Sequence, residues 1–379
     1  MKGERDMEKK PLHKLKSLQT GVMLGLTAVL LTSLGCQKVE ETTEKTVPSQ
    51  TLATMYQAEI EEQLEKAAGG KTETEPVYQI LDPTGPAPMP NPEGYGEVQN
   101  PKELQWLLDE AQDLLEGQTL YFSTDVELLP DSTVNYYLDD TILAITWKQK
   151  VENTAFTFAE IKLLHPSQFR RYLSGEKFGS GKLSLTSEMA QSVNAVVGCS
   201  GDYYSYRRRG LSIADGKVEK FVTGLEDTCY INSEGDLILE REQGFADIEA
   251  VQAYADANDI QFSLSFGPIL VKDGENICPK NYPLGEVKER YSRAAICQMG
   301  KLHYLYIAAG MDMDAYGLMT MRTFSKHVAQ TGCRQAYALD GGQTTTIVLN
   351  NEVINHVNYG SERRISDIIY FATAIPEGE

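Results

Sequence analysis

From Thr119 onward the chain breaks into short apolar runs with a two-residue alternation, among them "TLYFSTDVEL", "TILAITW" and "NTAFTFAEIKLL". Alternation at period two puts successive side chains on opposite faces of a strand. These runs follow one another without the regular strand-helix-strand rhythm that a parallel sheet requires. The chain is therefore expected to be α+β, with more strands than helices, in a single domain over roughly residues 100–379. Four helices are predicted around the strands. Asn100-Pro101 with Glu103 supplies an N-cap, a first-turn proline and an acidic third position, and Leu104, Leu107, Leu108, Ala111, Leu114 and Leu115 make one apolar face before Gly117. The others are expected near 184–195, 247–258 and 320–331, the last stopped by Gly332. No repeat of fixed period is visible.

The segment before this body has a different character. Residues 1–20 carry Lys2, Arg5, Lys9, Lys10, Lys14 and Lys16, and an uncharged run from Gly21 to Gly35 then leads to Cys36. A membrane helix needs about 20 apolar residues, so this run suits the apolar core of a secretory signal better than a span. "LTSLGC" resembles a bacterial lipobox, with Ser33 in place of the usual leucine. Residues 1–35 are accordingly expected to be a lipoprotein-type signal peptide, with Cys36 lipidated and the mature chain held on the extracytoplasmic face of a bacterial membrane. An uncleaved anchor and a plain secreted form are the alternatives. Residues 36–99 read as a Thr/Glu/Pro-rich tether: "QKVEETTEKTVPSQ" lacks core-forming residues, Leu52, Tyr56, Ile60 and Leu64 suggest a short helix, and 76–92 holds six prolines.

Charge narrows the partners. The net charge of −19 becomes −22 once six Lys/Arg and three Asp/Glu leave with residues 1–35, which argues against nucleic acid, whose binding needs a basic face. Five cysteines remain beyond Cys36, an odd number with neither CxxC nor zinc spacing, and buried thiols with at most a disulfide are expected. "GSGKLS" at 179–184 lacks the first glycine of a phosphate loop, and "DMDAYG" at 312–317 has Tyr316 and Thr323 where a calcium loop needs ligands. Asp312 or Asp314 could serve only an irregular metal site. No histidine sits in a triad context, and no cofactor motif is present.

Five dense polar stretches remain, each flanked by apolar runs: "GCSGDYYSYRRRG", "SFGPILVKDGE", "ERYSRAA", "ALDGGQTTT" and "GSERRISD". Glycine allows close backbone approach, threonine hydroxyls donate, and guanidinium forks match phosphate oxygens. Such ingredients fit a phosphate-containing substrate with one or two carboxylates for chemistry. In order and in wording the five stretches resemble the phosphodiester glycosidase family over about residues 130–375, most specifically at "LDGGQTTT" followed by "SERRISD". Ser200 and Ala338 depart from the family's asparagines, Gln343 from a glycine, and Thr344-Thr345 from serines.

The resemblance implies hydrolysis of the glycosidic bond of a sugar-1-phosphodiester in cell-envelope or exopolysaccharide glycans, without a cofactor. Asp340 and Asp202 are then the catalytic candidates. Arg208, Arg209, Arg293 and Arg363 are the phosphate clamps, and Gly341, Gly342, Thr344 and Thr345 line the substrate. Of the adjacent Arg363 and Arg364, one should face outward. Each aspartate has a structural alternative as a turn cap, and the Arg207 to Arg209 run as a solvated surface. Two other function classes stay open: a non-catalytic envelope protein that binds anionic glycopolymer, and a metal-dependent phosphodiesterase, which lacks a His/Asp cluster to hold two metals.

Overall fold

The structure is a computed structural model, and it describes residues 78–376 apart from 84, 124–127, 131, 203, 208, 225, 242–243, 283–286 and 313–314. Cys36 and the expected signal and stalk helix lie outside the described residues, as do Arg208 and Asp314. Five α-helices and nineteen strands are present among the described residues, and every ladder is antiparallel. That is the α+β arrangement expected from the missing strand-helix rhythm.

A nine-stranded sheet forms the centre, in the spatial order 95–97, 135–139, 142–151, 154–163, 303–310, 293–300, 335–339, 269–272, 275–276. A five-stranded sheet, ordered 352–353, 347–349, 197–200, 367–371, 169–173, accompanies it. Alternation along the central strands feeds two cores. Ile142, Ala144, Ile161, Ile296, Tyr306 and Leu339 share one cluster with Cys199, Ile347, Ile369 and Phe371 of the five-stranded sheet. Leu143, Ile145, Trp147, Phe158, Ile307 and Ala338 share the other with Leu107, Leu114, Phe324 and Val328 from helices. Both faces are covered, so every residue of Thr154–Leu163 is buried.

The helices start where their caps dictate. In α1 (Pro101–Glu110) the Asn100 side chain accepts from the backbone N–H groups of Lys102 and Glu103, and α2 (Gln112–Leu115) continues the same apolar face to a left-handed Glu116. The third, α3 (Thr186–Ser192), is shorter than 184–195 because Ser184 bridges to Ile365 and Asn194 turns left-handed. Asp247 caps α4 (Ile248–Ala257), and Thr320 caps α5 (Met321–Gln330).

Two expectations differ from the structure. Tyr121–Ser123, inside the run read as a strand, is a 3-10 turn: the buried Glu160 carboxylate accepts from the N–H groups of Tyr121 and Phe122 at 2.6 and 2.9 Å, and also meets His303 Nε2 at 2.8 Å. Those donors are thereby unavailable to a ladder. The packed body also begins earlier than residue 100. Leu81 and Ala87 are buried, Gln79 N–H donates to the Ala374 carbonyl, and Tyr95–Glu97 is the edge strand of the central sheet.

Candidate active site

Two strands of the central sheet end side by side at the site. Leu339 pairs with Ala294, so Asp340 leaves its strand next to Arg293. Gly267 N–H donates to the Ala338 carbonyl, which brings the Phe266 stretch alongside. The turn after Leu339 explains its glycines. A Cβ on Gly341 would meet the Ser292 carbonyl at an impossible separation, whereas Gly342 sits at φ +68° in open space. The first glycine permits close approach and the second a left-handed backbone. Gly342 N–H donates back to the Ser292 carbonyl at 2.9 Å, and Thr344 Oγ1 donates to the Gly341 carbonyl at 2.7 Å.

All five polar stretches contribute to one cavity of about 570 Å³, through Tyr206, Arg207 and Arg209; Phe266; Tyr291, Ser292 and Arg293; Asp340 to Gln343; and Arg363, joined by Asn358 and Tyr359. Among these described lining residues stand four arginines and a single carboxylate. A second cleft of about 530 Å³, at the edge of the five-stranded sheet, takes none of its lining from the five stretches. Convergence of the polar stretches, rather than size, therefore identifies the site.

Asp340 is half-buried and does not cap the following turn, whose N-cap is Gly341 with no side-chain hydrogen bond. Burial pushes its carboxyl up to about 6, against the Thr344 hydroxyl beside it and the Arg363 and Arg207 guanidinium groups, while the Asp202 charge works with burial. Arg207 is 8% exposed, lies 4.6 Å over the Phe266 ring and donates from Nη2 to the Phe266 carbonyl at 2.7 Å. Its Nε and Nη1 have no hydrogen-bond partner among the described residues. Arg293 is buried and tied to the carbonyls of Glu289 (2.6 Å) and Met319 (3.3 Å). Arg209 and Arg363 are exposed at the rim, Arg363 with its guanidinium 5.2 Å over the Tyr206 ring. Arg364 faces away and pairs with Glu188 at 2.8 Å, as adjacency in an extended segment requires.

Asp202 stands in a buried layer behind the cavity and is not part of its lining. Its Oδ2 accepts from Ser265 N–H at 2.8 Å, and its own N–H donates to both Asp367 oxygens at 3.1 and 3.2 Å. Asp367 pairs with Arg171 at 2.8 Å, and burial pushes its carboxyl up to about 6 against the pull of that arginine. Thr344 shapes the turn. Thr345 instead borders a small neighbouring cavity shared with Ser292, Asn355 and His356. Ser200, at one of the family's asparagine positions, bonds to the Tyr306 hydroxyl at 2.9 Å, and Ala338 is packed within the sheet. Sequence reasoning missed Arg207, Tyr206, Asn358 and Tyr359. The "NYG" turn at 358–360 is the one signal that could have drawn attention to the last two.

Among the described residues no group of three His, Cys, Asp or Glu could hold a metal, and Asp312 pairs with Lys148 at 2.8 Å. Cys199, Cys229, Cys297 and Cys333 are buried free thiols, and Cys278 is a half-buried one.

Three solved structures are similar to this chain at low identity. The catalytic domain of zebrafish N-acetylglucosamine-1-phosphodiester alpha-N-acetylglucosaminidase, auto-inhibited by its pro-peptide, is 16% identical with a TM-score of 0.49, over 69% of this chain and 92% of that one. A hypothetical protein from Synechocystis is 12% identical at 0.43, over 61% and 62% of the two chains. An exported protein from Burkholderia pseudomallei is 11% identical at 0.42, over 58% and 74%. No curated protein matches. The phosphodiester glycosidase family model matches residues 193–372, a span that holds every residue lining the cavity. Over residues 193–372, then, the chain is similar to the phosphodiester glycosidase family.

Proposed function

We propose that this protein hydrolyses the glycosidic bond of a sugar-1-phosphodiester in cell-envelope or exopolysaccharide glycans. The observation that carries the proposal is the Asp340 carboxyl, pushed up to about 6 in the same cavity as four arginines. A carboxyl of that pKa is mostly ionised at neutral pH yet basic enough to take a proton from water. The arginines suit a phosphate diester in the ground state and the second negative charge that appears as the monoester departs.

A single carboxylate among the described lining residues is also consistent with this chemistry. Ordinary glycosidases use a second carboxyl to protonate an alcohol leaving group. Here the leaving group is a phosphate monoester, whose second pKa is near 6, so charge neutralisation by arginine replaces much of that protonation. In the proposed reaction water attacks the anomeric carbon and gives its proton to Asp340. The bond from that carbon to the phosphate oxygen breaks, and its electron pair leaves on the phosphate. Arg207, whose Nε and Nη1 have no partner among the described residues, and rim arginines Arg209 and Arg363 hold the phosphate; Arg293, fixed by backbone carbonyls, contributes its field. Asp202 acts from behind, through its charge and its hold on Ser265. The acidic net charge does not oppose this, because screening confines distant charges to about 8 Å at physiological ionic strength.

Turnover of a panel of sugar-1-phosphodiesters by the full chain in oxygen-18 water tests the reading. Label on the free sugar, with an unlabelled phosphate monoester, is expected. Label on phosphorus would replace the glycosidase by a phosphodiesterase, and binding of anionic glycopolymer without turnover would leave a binding protein. The basic segment, apolar run and Cys36 support placement on the extracytoplasmic face through a diacylated Cys36.

A further inference from the structure

Three tyrosines line the cavity, and two of them are already engaged. Arg363 lies 5.2 Å over the Tyr206 ring, and Arg293 lies 5.5 Å over Tyr291. Tyr359 has no ring contact or hydrogen bond among the described residues and is 89% exposed. Its backbone is also unusual, at φ 65° and ψ 12°, a left-handed conformation that a bulky side chain adopts only at a cost in free energy. The surroundings hold it there. Ser292 Oγ donates to Asn358 Oδ1 at 2.9 Å, Gln343 Nε2 donates to the Ser361 carbonyl at 3.1 Å, and Gly360 N–H donates to the Val357 carbonyl at 3.0 Å. Ser292 also accepts from Gly342, so the loop bearing Tyr359 and the turn bearing Asp340 share one anchor.

A strained, exposed aromatic fixed on two sides is poorly explained by packing, since the ring buries little. Strain of this kind persists only where the surroundings over-determine the backbone, and it clusters at functional sites. Resting on the reading above, we infer that Tyr359 is a stacking platform for the pyranose ring whose anomeric carbon meets Asp340. The rings of Tyr206 and Tyr291 serve to orient arginines for the phosphate. Because Tyr359 shares its Ser292 anchor with the Asp340 turn, it is assigned to the sugar side of the bond to be cut. The apolar C–H face of a pyranose suits an unoccupied aromatic face, while the arginines lining the same cavity hold the phosphate.

Calorimetric titration of the full-length protein with inorganic phosphate, α-glucose 1-phosphate and N-acetyl-α-glucosamine 1-phosphate tests the assignment. The wild type should bind at least one sugar phosphate more tightly than phosphate itself. Tyr359→Ala should weaken that sugar phosphate about five- to tenfold, as expected for loss of one aromatic contact, with phosphate affinity unchanged within about twofold. Tyr359→Phe should retain the wild-type preference. Tyr359→Gly should lose the preference yet melt no lower than the wild type, because glycine relieves the left-handed strain. Equal losses for phosphate and sugar phosphate, or no loss in Tyr359→Ala, would overturn the platform. So would a wild type that binds phosphate without preferring any sugar phosphate, an outcome that leaves the arginine site standing. Absence of binding by all three ligands would instead remove the phosphate site, and the platform with it.

Discussion

Replacing Asp340 by asparagine should sharply reduce turnover and stabilise the fold, two effects that a structural aspartate would not combine. Burial pushes the carboxyl up to about 6 in the folded chain, against 3.8 without the fold's influence. Each pKa step is worth about 1.4 kcal/mol, so the ionised side chain costs the native state up to about 3 kcal/mol above pH 7. Because Asp340 is half-buried rather than sealed, solvent relaxation reduces that to about 1–3 kcal/mol. The sign follows from proton binding. Between pH 4 and 6 the folded state holds the proton longer than the unfolded state, so wild-type stability falls as pH rises through this window. Asparagine has nothing to titrate. Asp340→Asn should therefore melt like the wild type near pH 4 and several degrees higher at pH 7.5. Its turnover should drop about 10²–10⁴-fold, the range for loss of a general base, and wild-type kcat/KM should itself fall about tenfold per pH unit below about 6. Melting curves from pH 4 to 8, read beside steady-state kinetics, decide the matter. An asparagine variant within a few-fold of wild-type activity, or one destabilised by about 1 kcal/mol at pH 7.5 as a lost cap would be, refutes the reasoning.

Arg363→Ala should raise KM about tenfold, with kcat falling only as far as this rim arginine holds the departing monoester more strongly than the bound diester, and it should move the acid limb of the pH profile upward, because Arg363 helps to keep Asp340 ionised. Arg364→Ala, whose guanidinium turns outward to Glu188, should stay within about twofold of wild type; equal effects from both variants would show that neither arginine is a selective clamp. Cys36→Ala should shift the full chain from the detergent phase to the aqueous phase when expressed in bacteria, and unchanged partitioning with residues 1–35 retained would dismiss the lipid anchor.

Local chemistry settled much of this molecule before any tertiary contact formed. Asn100, Asp247 and Thr320 each cap the helix that follows, because a short polar side chain before an apolar period satisfies backbone N–H groups within a few residues of itself. The runs at 142–151 and 154–163 became strands for the same reason of locality, as pleating places neighbours on opposite faces whatever lies beyond. The glycines at 341 and 342 were equally legible, as was the expectation that one of Arg363 and Arg364 faces outward; that it is Arg364 depends on Glu188. Tertiary structure decided what depends on distant partners. The Glu160 carboxylate turned Tyr121–Ser123 away from a strand, and no pattern within 119–128 could reveal an acceptor on another strand. Arg207 and Arg209 lie two residues apart in one run, yet one is buried against Phe266 and the other exposed; the sorting depends on a stretch some sixty residues away. Asp202 and Asp340 look alike in sequence, both beside glycines, but only Asp340 faces the cavity, because Asp367 and Ser265 hold Asp202 in the layer beneath. Burial and charge at a carboxyl sum contributions from every element packed around it, so its pKa, and with it its chemistry, belongs to the fold.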